Sequence, residues 1–582
     1  MFTMPPAPKS LREVERKAPQ KPLSELAAGD VRIVPLGGVE EVGRNMIAVE
    51  YNGDIIVSDC GFQFEDEDTP GIDYTLPNTS YLEANKHKIR AIFITHGHLD
   101  HIGGIPYIMD RIGNPPIYTQ YVTSLMIKKR QEEFPHLAPL GLNIIEAGQR
   151  IKIGNTYVGT FPVTHSIPDS MGIAIETVHG RVVISGDLRL EHEGGVPTEK
   201  EKKNWSEVGK EKNLILISDS TNAEQQDFSV PENRVYETIE GIIKNTKGRL
   251  IIGTFASQFE RMIHIIMLAE KYGKKVVAEG RSVKTNLDIA QYAKLLTPKP
   301  DTFIQGQDIS SYPPDKILII ATGAQGEENA ALMRIATKRH KFITFNERDT
   351  IMLSSSVIPG NEVSVQRLKD NLYRYNPTII HYRTSDVHTS GHGNIGELIW
   401  IREQVKPKFF MPAYGYHSML RCHANAQIAS GFPKENAIVP DNGMAIDILG
   451  GTKLHIQKDA VPSEPVAVDG FSVGNVQEAV VRDRKTLAQE GMFVIIATVD
   501  PKTGKLRKSP DIISRGFIYL RENQETLQQA RIIIKKTIED TTRNMHPVNF
   551  DYVKNNVTDA VARFLFEKTN KRPLVIPVIL GL

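Results

Sequence analysis

The stretch THGHLDHIGG (residues 95–104) sets His96, His98, Asp100 and His101 within six consecutive positions. It directly follows the apolar run IRAIFI (89–94), which reads as a strand, so the cluster falls at a strand's C-terminal end. A buried histidine needs a single partner, and four metal-capable groups at this density call for an ion. On an extended turn His96 and His98 point the same way, while Asp100 and His101 face a second point nearby. Imidazole and carboxylate donors suit zinc or manganese with positions left open for water. Two such metals about 3.5–4 Å apart can share a water nucleophile and stabilise a leaving oxygen.

Working outward, short apolar runs between residue 31 and about 228 repeat the same arrangement: MIAVEYNGDIIVSDCG, TYVGTFPVTH, RVVISGD and LILISDS each end on a polar residue. Strands that deliver polar groups at their C-terminal ends line the sites of α/β and sandwich enzymes. From about 232 to 376 strands such as RLIIGTFAS and KILIIATGAQGE alternate with helical stretches such as QFERMIHIIMLAEKYG, which reads as a parallel α/β unit. The earlier rhythm returns at PTIIHYRTSDVHTSGHG and PKFFMPAYGYH, so an inserted domain interrupts the first one. DAVPSEPVAVDGFSVG resembles a linker, and beyond it GMFVIIATVD and ETLQQARIIIKKTIEDT supply the strand and helix of a separate small domain.

A chain of 582 residues is too long for one core, and its 40% hydrophobic and 24% charged composition is that of globular domains. A net charge of +1 gives no overall field for a polyanion, so nucleic-acid binding would need local basic surface. Two cysteines, Cys60 and Cys422, exclude a disulfide framework and a cysteine-rich zinc site and fit a reducing cytoplasm. The N-terminal stretch has no signal-peptide core, and no run nears the ~18 apolar residues of a membrane span.

The strand–HxHxDH–Gly-Gly run resembles the metallo-β-lactamase superfamily. That resemblance implies His165 (VTHS) as a further ligand, Asp187 (ISGD) as the carboxylate between two metals, and Asp59 (VSDCG) as the group orienting the cluster from behind. One metal would take His96, His98 and His165, and the other Asp100 and His101, with Asp187 shared. Asp219 in SDSTNAE and His392 in VHTSGHG match the first two extra motifs of the β-CASP branch. GTFASQFER, EGRSVKTN, TGAQGE and LSSSVIPGNE match its inserted domain, and VVRDRK, DIISRGFIYLRE, ARFLFEKTNKRP and IPVIL match one family's C-terminal domain. Over nearly all of residues 31–582 the sequence is similar to bacterial ribonuclease J.

The resemblance implies an α/β chain: a metallo-β-lactamase αββα sandwich (31–230 and 377–457) with an inserted β-CASP α/β domain (231–376). A basic, disordered arm (1–30) precedes it, and a linker (458–471) and a small α+β C-terminal domain (472–582) follow. It implies hydrolysis of RNA phosphodiesters as a 5′-to-3′ exonuclease and endonuclease in cytoplasmic RNA maturation and decay. Two zinc ions per subunit are expected, with manganese or magnesium as alternatives, on 5′-monophosphorylated RNA. A homodimer or homotetramer with decay-complex partners is expected as well. His392, held by Asp219, would be the general acid for the departing 3′ oxygen. The donor-rich loop His388, Thr389, Ser390, Gly391 and His392 would grip the terminal phosphate. Ala256 and Ser257 would be further RNA contacts, although Ser257 reads equally as a helix N-cap.

One position departs from the family pattern. Its third extra motif has a histidine in a P-x-H-G context, where PAYGYHSM places Tyr414. A neutral phenol is a poor ligand, though a nearby dication lowers its pKa. Alternatively His417 reaches the site, or the second site fills only with substrate. The remaining ligands favour a working enzyme with a loosened second metal. The alternative is a non-catalytic RNA-binding paralogue that scaffolds a decay complex. The inserted domain argues against a small thioester or lactam substrate, and the C-terminal matches against a DNA nuclease.

Overall fold

The computed structural model describes residues 23–64, 71–358, 360–470, 472–474, 478–518, 523–543, 545 and 547–581. Most of the expected basic arm, residues 1–22, and Phe471 of the expected linker lie outside them. Two compact units emerge, one running to Gln63 and over Leu76–Val466, the other comprising Phe64–Thr75 and Ala467–Leu582.

The first unit contains a two-sheet sandwich. One sheet has eight strands in the order Lys453–Gln457, Ala445–Leu449, Val31–Gly37, Met46–Tyr51, Asp54–Ser58, Ile89–Phe93, Ile117–Thr119 and Leu142–Ile144. The other has six: Phe409–Ala413, Asn213–Asp219, Arg181–Ile184, Met171–Ile175, Thr156–Pro162 and Arg150–Ile153. Alternate residues of each strand meet between the sheets: Val31 and Ile33, Ile47 and Val49 from one, Ile173 and Ile175, Ile215 and Ile217 from the other. The intervening residues of the second sheet, Ala174, Val183, Leu216 and Phe410, face outward onto Trp205, Val208, Leu398 and Ile401 of the helices Glu199–Lys210 and Ile395–Val405. Side chains alternate across a strand, so burial on both faces explains why these runs are apolar throughout.

The inserted part is a five-stranded parallel sheet ordered Lys275–Glu279, Ile317–Ala321, Leu250–Thr254, Thr350–Ser354 and Thr378–His381, with a core on each face. The first strand in sequence lies in the middle, so the chain winds outward both ways from Leu250–Thr254. Crevices for ligands open beyond the carboxyl ends of strands at such a switch point, and here those ends carry Ala256 and Ser257. Just beyond the boundary expected at residue 376, Thr378–His381 pairs in parallel with Thr350–Ser354 and extends the inserted sheet. It is a partly exposed edge strand, and its apolar run reads the same whichever sheet it joins.

The second unit pairs Met492–Val499 antiparallel to Asp511–Arg515 and parallel to Leu574–Gly581. The helices Gln524–Thr542 and Phe550–Thr569 bury Leu527, Ile534, Ile538, Val553 and Val557 with that sheet's Phe493 and Ile495. The expected linker also contains a strand, Val466–Asp469. Residues 64–75, far upstream in sequence, join this unit: Arg484 donates to the Gly71 carbonyl at 2.8 Å and pairs with Asp469 at 2.6 Å.

Candidate metal centre

The buried strand Ile89–Phe93 runs straight into His96, and His98 is the N-cap of the four-residue helix Leu99–Ile102. The His98 carbonyl accepts from the amides of His101 and Ile102, each at 2.9 Å, which turns Asp100 and His101 back toward the strand end. Gly61 makes room for this turn, because a Cβ there would lie 1.6 Å from the Asp100 carbonyl oxygen.

Three ring nitrogens converge. His98 Nδ1 lies 3.0 Å from His96 Nε2 and 3.2 Å from His165 Nε2. Asp187 Oδ2 stands 3.6 Å from His96 Nε2, 3.8 Å from His165 Nε2 and 3.3 Å from His101 Nε2, and Asp100 Oδ2 lies 3.6 Å from the last. Two donor sets therefore share Asp187: His96, His98 and His165 on one side, Asp100 and His101 on the other.

Each ligand is oriented through its other atom. Thr95 Oγ1 lies 3.0 Å from His96 Nδ1, Ser166 Oγ 3.0 Å from His98 Nε2, the Gly391 carbonyl 2.7 Å from His165 Nδ1, and Asp59 Oδ2 2.9 Å from His101 Nδ1. Such partners fix the tautomer and leave the opposite nitrogen free for a metal. Burial lowers the pKa of His96 and His165 well below the usual histidine range, with the neighbouring imidazoles adding to it. Burial likewise takes His98 down to about 4. Neutral imidazoles are what a divalent cation requires. For His101 burial acts downward, but Asp187, Asp59 and Asp100 outweigh it and raise the pKa. The Asp187 Oδ1 atom is buried without a hydrogen-bond partner. A buried orphaned carboxylate oxygen beside convergent neutral imidazoles fits a divalent metal.

His392 stands at the edge of this cluster. Its Nδ1 is 2.7 Å from Asp219 Oδ2 and 4.0 Å from Asp187 Oδ2. Burial opposes its charge, yet Asp219 and then Asp187 raise the pKa to about 9. Asp219 also accepts from the amides of Leu188 (3.1 Å) and Thr221 (2.9 Å), so the pair is rigidly seated.

Tyr414, 2% exposed, follows the strand Phe409–Ala413 with its ring centroid 5.6 Å from that of His101. It adopts φ 58°. Its hydroxyl is buried with no hydrogen bond of ordinary geometry, although the Ser58 side chain lies close enough to pull its pKa down slightly. Burial, reinforced by Asp59, Asp187 and Asp219, pushes that pKa well above the usual tyrosine range. The histidine and carboxylate donors of the second set are Asp100, His101 and Asp187. His417 does not complete it: this half-exposed side chain faces Asp441 at 3.6 Å and Glu40 at 3.9 Å.

In the 388–392 loop, His388 and Thr389 are buried while Ser390 and His392 are partly exposed. His388 Nδ1 lies 2.7 Å from Arg261 Nη1, and the Thr389 carbonyl accepts from Arg261 Nη2 at 3.1 Å. The Ser257 main chain reaches His98, bringing the inserted domain onto the cluster. Gln258 is the N-cap of the helix Phe259–Lys271, so Ser257 is not a capping residue. The Ala256 carbonyl accepts from Asn286 at 2.8 Å.

Sequence reasoning missed Asn45, Ser166, Glu232 and Arg261. Asn45 Nδ2 is 2.8 Å from His101 Nε2 and 3.2 Å from Asp100 Oδ2, placing it against the second donor set. Nothing in the chain around Asn45 flags it, whereas Ser166 is adjacent to His165 and Arg261 ends the GTFASQFER segment.

Fold and site together define a metallo-β-lactamase-type domain with a dinuclear-capable His/Asp cluster and an interposed α/β domain. The metallo-β-lactamase superfamily model matches residues 39–215, the β-CASP domain of ribonuclease J matches 247–372, and the ribonuclease J C-terminal domain matches 479–582. The chain is 35% identical over 558 residues to ribonuclease J 1 of Streptococcus pyogenes, covering 95% of this chain and 98% of that one. It is 32% identical to ribonuclease J2 of Bacillus subtilis, covering 95% and 98%. A solved structure, a protein of unknown function from Enterococcus faecalis V583, shares the fold with a TM-score of 0.51 at 16% identity, covering 72% of this chain and all of that one. The chain belongs to the ribonuclease J family. Among the described residues, no helix is long and apolar enough to cross a membrane.

Proposed function

We propose that this chain is a zinc-dependent ribonuclease that hydrolyses RNA phosphodiesters, working as a 5′-to-3′ exonuclease with endonuclease activity in cytoplasmic RNA maturation and decay. The observation that carries the reading is the Asp219–His392 pair seated 2.7 Å apart at the edge of the His/Asp cluster. His96, His98, His165 and Asp187 would hold one metal, and Asp100, His101 and Asp187 a second, more weakly held one, with Tyr414 adding no ordinary ligand. When bound, divalent metals there supply water activation and charge neutralisation on the phosphate.

This chain's own groups do the rest. Asp219 accepts from His392 Nδ1–H, so the proton the charged ring can give up is the one on Nε2. As the bond from phosphorus to the 3′ oxygen breaks, that proton passes to the departing oxygen. A pKa of about 9 keeps the ring charged at neutral pH, ready to give the proton. The partly exposed Ser390 and His392, with the Gly391 amide, supply donors for a 5′-terminal phosphate, beside Ser257 and Ala256. Relatives named ribonuclease J support RNA as the substrate. A homodimer or homotetramer, with decay-complex partners, completes the reading.

The test incubates 5′-monophosphate and 5′-triphosphate RNA with the protein under zinc, manganese or magnesium. Mononucleotides should be released faster from the monophosphate, and His98→Ala and Asp100→Ala should abolish release. No cleavage with any of the metals would refute the enzyme and favour an RNA-binding scaffold, the reading for which Tyr414 speaks.

A further inference from the structure

Arg261 is among the largest fully buried side chains of the protein, 1% exposed, on the helix Phe259–Lys271 of the inserted domain. Its Nε and Nη2 donate to Glu232 Oε1 and Oε2, both at 2.8 Å, and Arg189 Nη2 lies 3.8 Å from the same carboxylate. Its remaining bonds go to His388 Nδ1 and the Thr389 carbonyl. The arginine charge is thus neutralised internally and its donors are turned inward, so it is not a phosphate ligand itself. A buried ion pair of this kind adds little net stability compared with an apolar pair of the same size. What it does supply is a fixed geometry.

That geometry acts on one loop. A guanidinium only donates, so His388 Nδ1 accepts and its proton sits on Nε2. Nε2 is buried beside the Ser354 main chain, so this imidazole is a strut inside the protein rather than a group open to a ligand. Three residues further along, the Gly391 carbonyl orients His165, and after it comes His392. Arg261 therefore holds the inner end of a loop whose outer end carries Ser390, Gly391 and His392.

We propose that Arg261, held by Glu232, is the positioning residue of the 388–392 loop, through which the inserted domain sets the grip on the 5′-terminal phosphate of RNA. This rests on the RNA-end reading proposed above.

The experiment measures binding of 3′-fluorescein RNA carrying either a 5′-monophosphate or a 5′-hydroxyl, by anisotropy, with a chelator present to stop turnover. Wild type should prefer the monophosphate. Arg261→Lys keeps the charge but cannot hold Glu232, His388 and Thr389 together. It should lose on the order of tenfold or more of that preference, as loss of charge-assisted hydrogen bonds implies, while 5′-hydroxyl RNA binds unchanged. An Arg261→Lys protein that keeps the full preference overturns the proposal, as does one that loses affinity for both RNAs equally, which would mark a merely structural role. Wild type indifferent to the 5′ end refutes the end-grip reading itself and the proposal with it, a result visible without any variant. If thermal melting shows Arg261→Lys unfolded, Glu232→Gln takes its place and must show the same selective loss.

Discussion

Replacing Gly391 by alanine perturbs the metal centre through a single methyl group. A Cβ at this position would lie 2.7 Å from His165 Cε1 and 3.0 Å from His165 Nδ1. Carbon atoms pack at about 3.5–4.0 Å, so the ring or the loop must retreat by about 1 Å. Either movement breaks the 2.7 Å contact between His165 Nδ1 and the Gly391 carbonyl. Metal ligands tolerate about 0.2 Å, and loss of an orienting partner typically weakens metal binding about 10–100-fold. The overpacking strain on the fold is about 1–3 kcal/mol, a modest part of the stability of a domain this size. Zinc affinity measured by competition with a chromophoric chelator should therefore fall about 10–100-fold, with RNA decay falling in parallel at limiting zinc and a much smaller change in the metal-free melting temperature. Unchanged zinc affinity in Gly391→Ala would refute the assignment of His165 as a ligand oriented from this loop.

Other outcomes follow from single contacts. Asp219→Asn should lower the rate of RNA cleavage about 10²–10⁴-fold with little change in KM, read by single-turnover kinetics, because the buried partner of His392 loses its charge. Tyr414→His should raise bound metal toward two per chain by elemental analysis. Histidine is among the residues that tolerate the left-handed backbone found there, at φ 58°. Gly241→Ala, within the helix Glu232–Asn245 where a Cβ meets nothing within 4 Å, should stabilise by about 0.5–1 kcal/mol in denaturant unfolding. A thiol reagent should titrate only Cys422 in the native protein, since Cys60 is fully buried and its thiol pKa is pushed far up by burial.

The centre was legible where one strand end carries its own signature. His96, His98, Asp100 and His101 sit in ten residues, and Asp59, His165, Asp187 and Asp219 each close an apolar run, so strand position alone delivers them to one edge of the sandwich. Asn45 and Arg261 were not legible because their partners are remote: Asn45 meets a residue 56 positions away, and Arg261 one 127 positions away. No local periodicity encodes such a meeting. The same limit applies to the fold. Apolar runs closed by a polar residue marked the strands, but an edge strand such as Thr378–His381 carries no mark of which sheet it will join, and the stretch ending at Thr75 none of the unit it belongs to. For Tyr414 the sequence raised the question, and the structure answers it for His417, whose side chain faces Asp441 and Glu40 instead of the cluster.

The eight-stranded sheet seats Val31–Gly37 between Met46–Tyr51 and Ala445–Leu449, with Val31 opposite Ile448. On the ribosome the first of these neighbours emerges at once, and the second only about 400 residues later, roughly 20–80 s at 5–20 residues per second. Throughout that interval an apolar strand keeps one row of amides and carbonyls unpaired, the condition that invites pairing with another chain. Successful biosynthesis of this protein thus depends on the open edge staying unpaired until the last strands of the sandwich arrive.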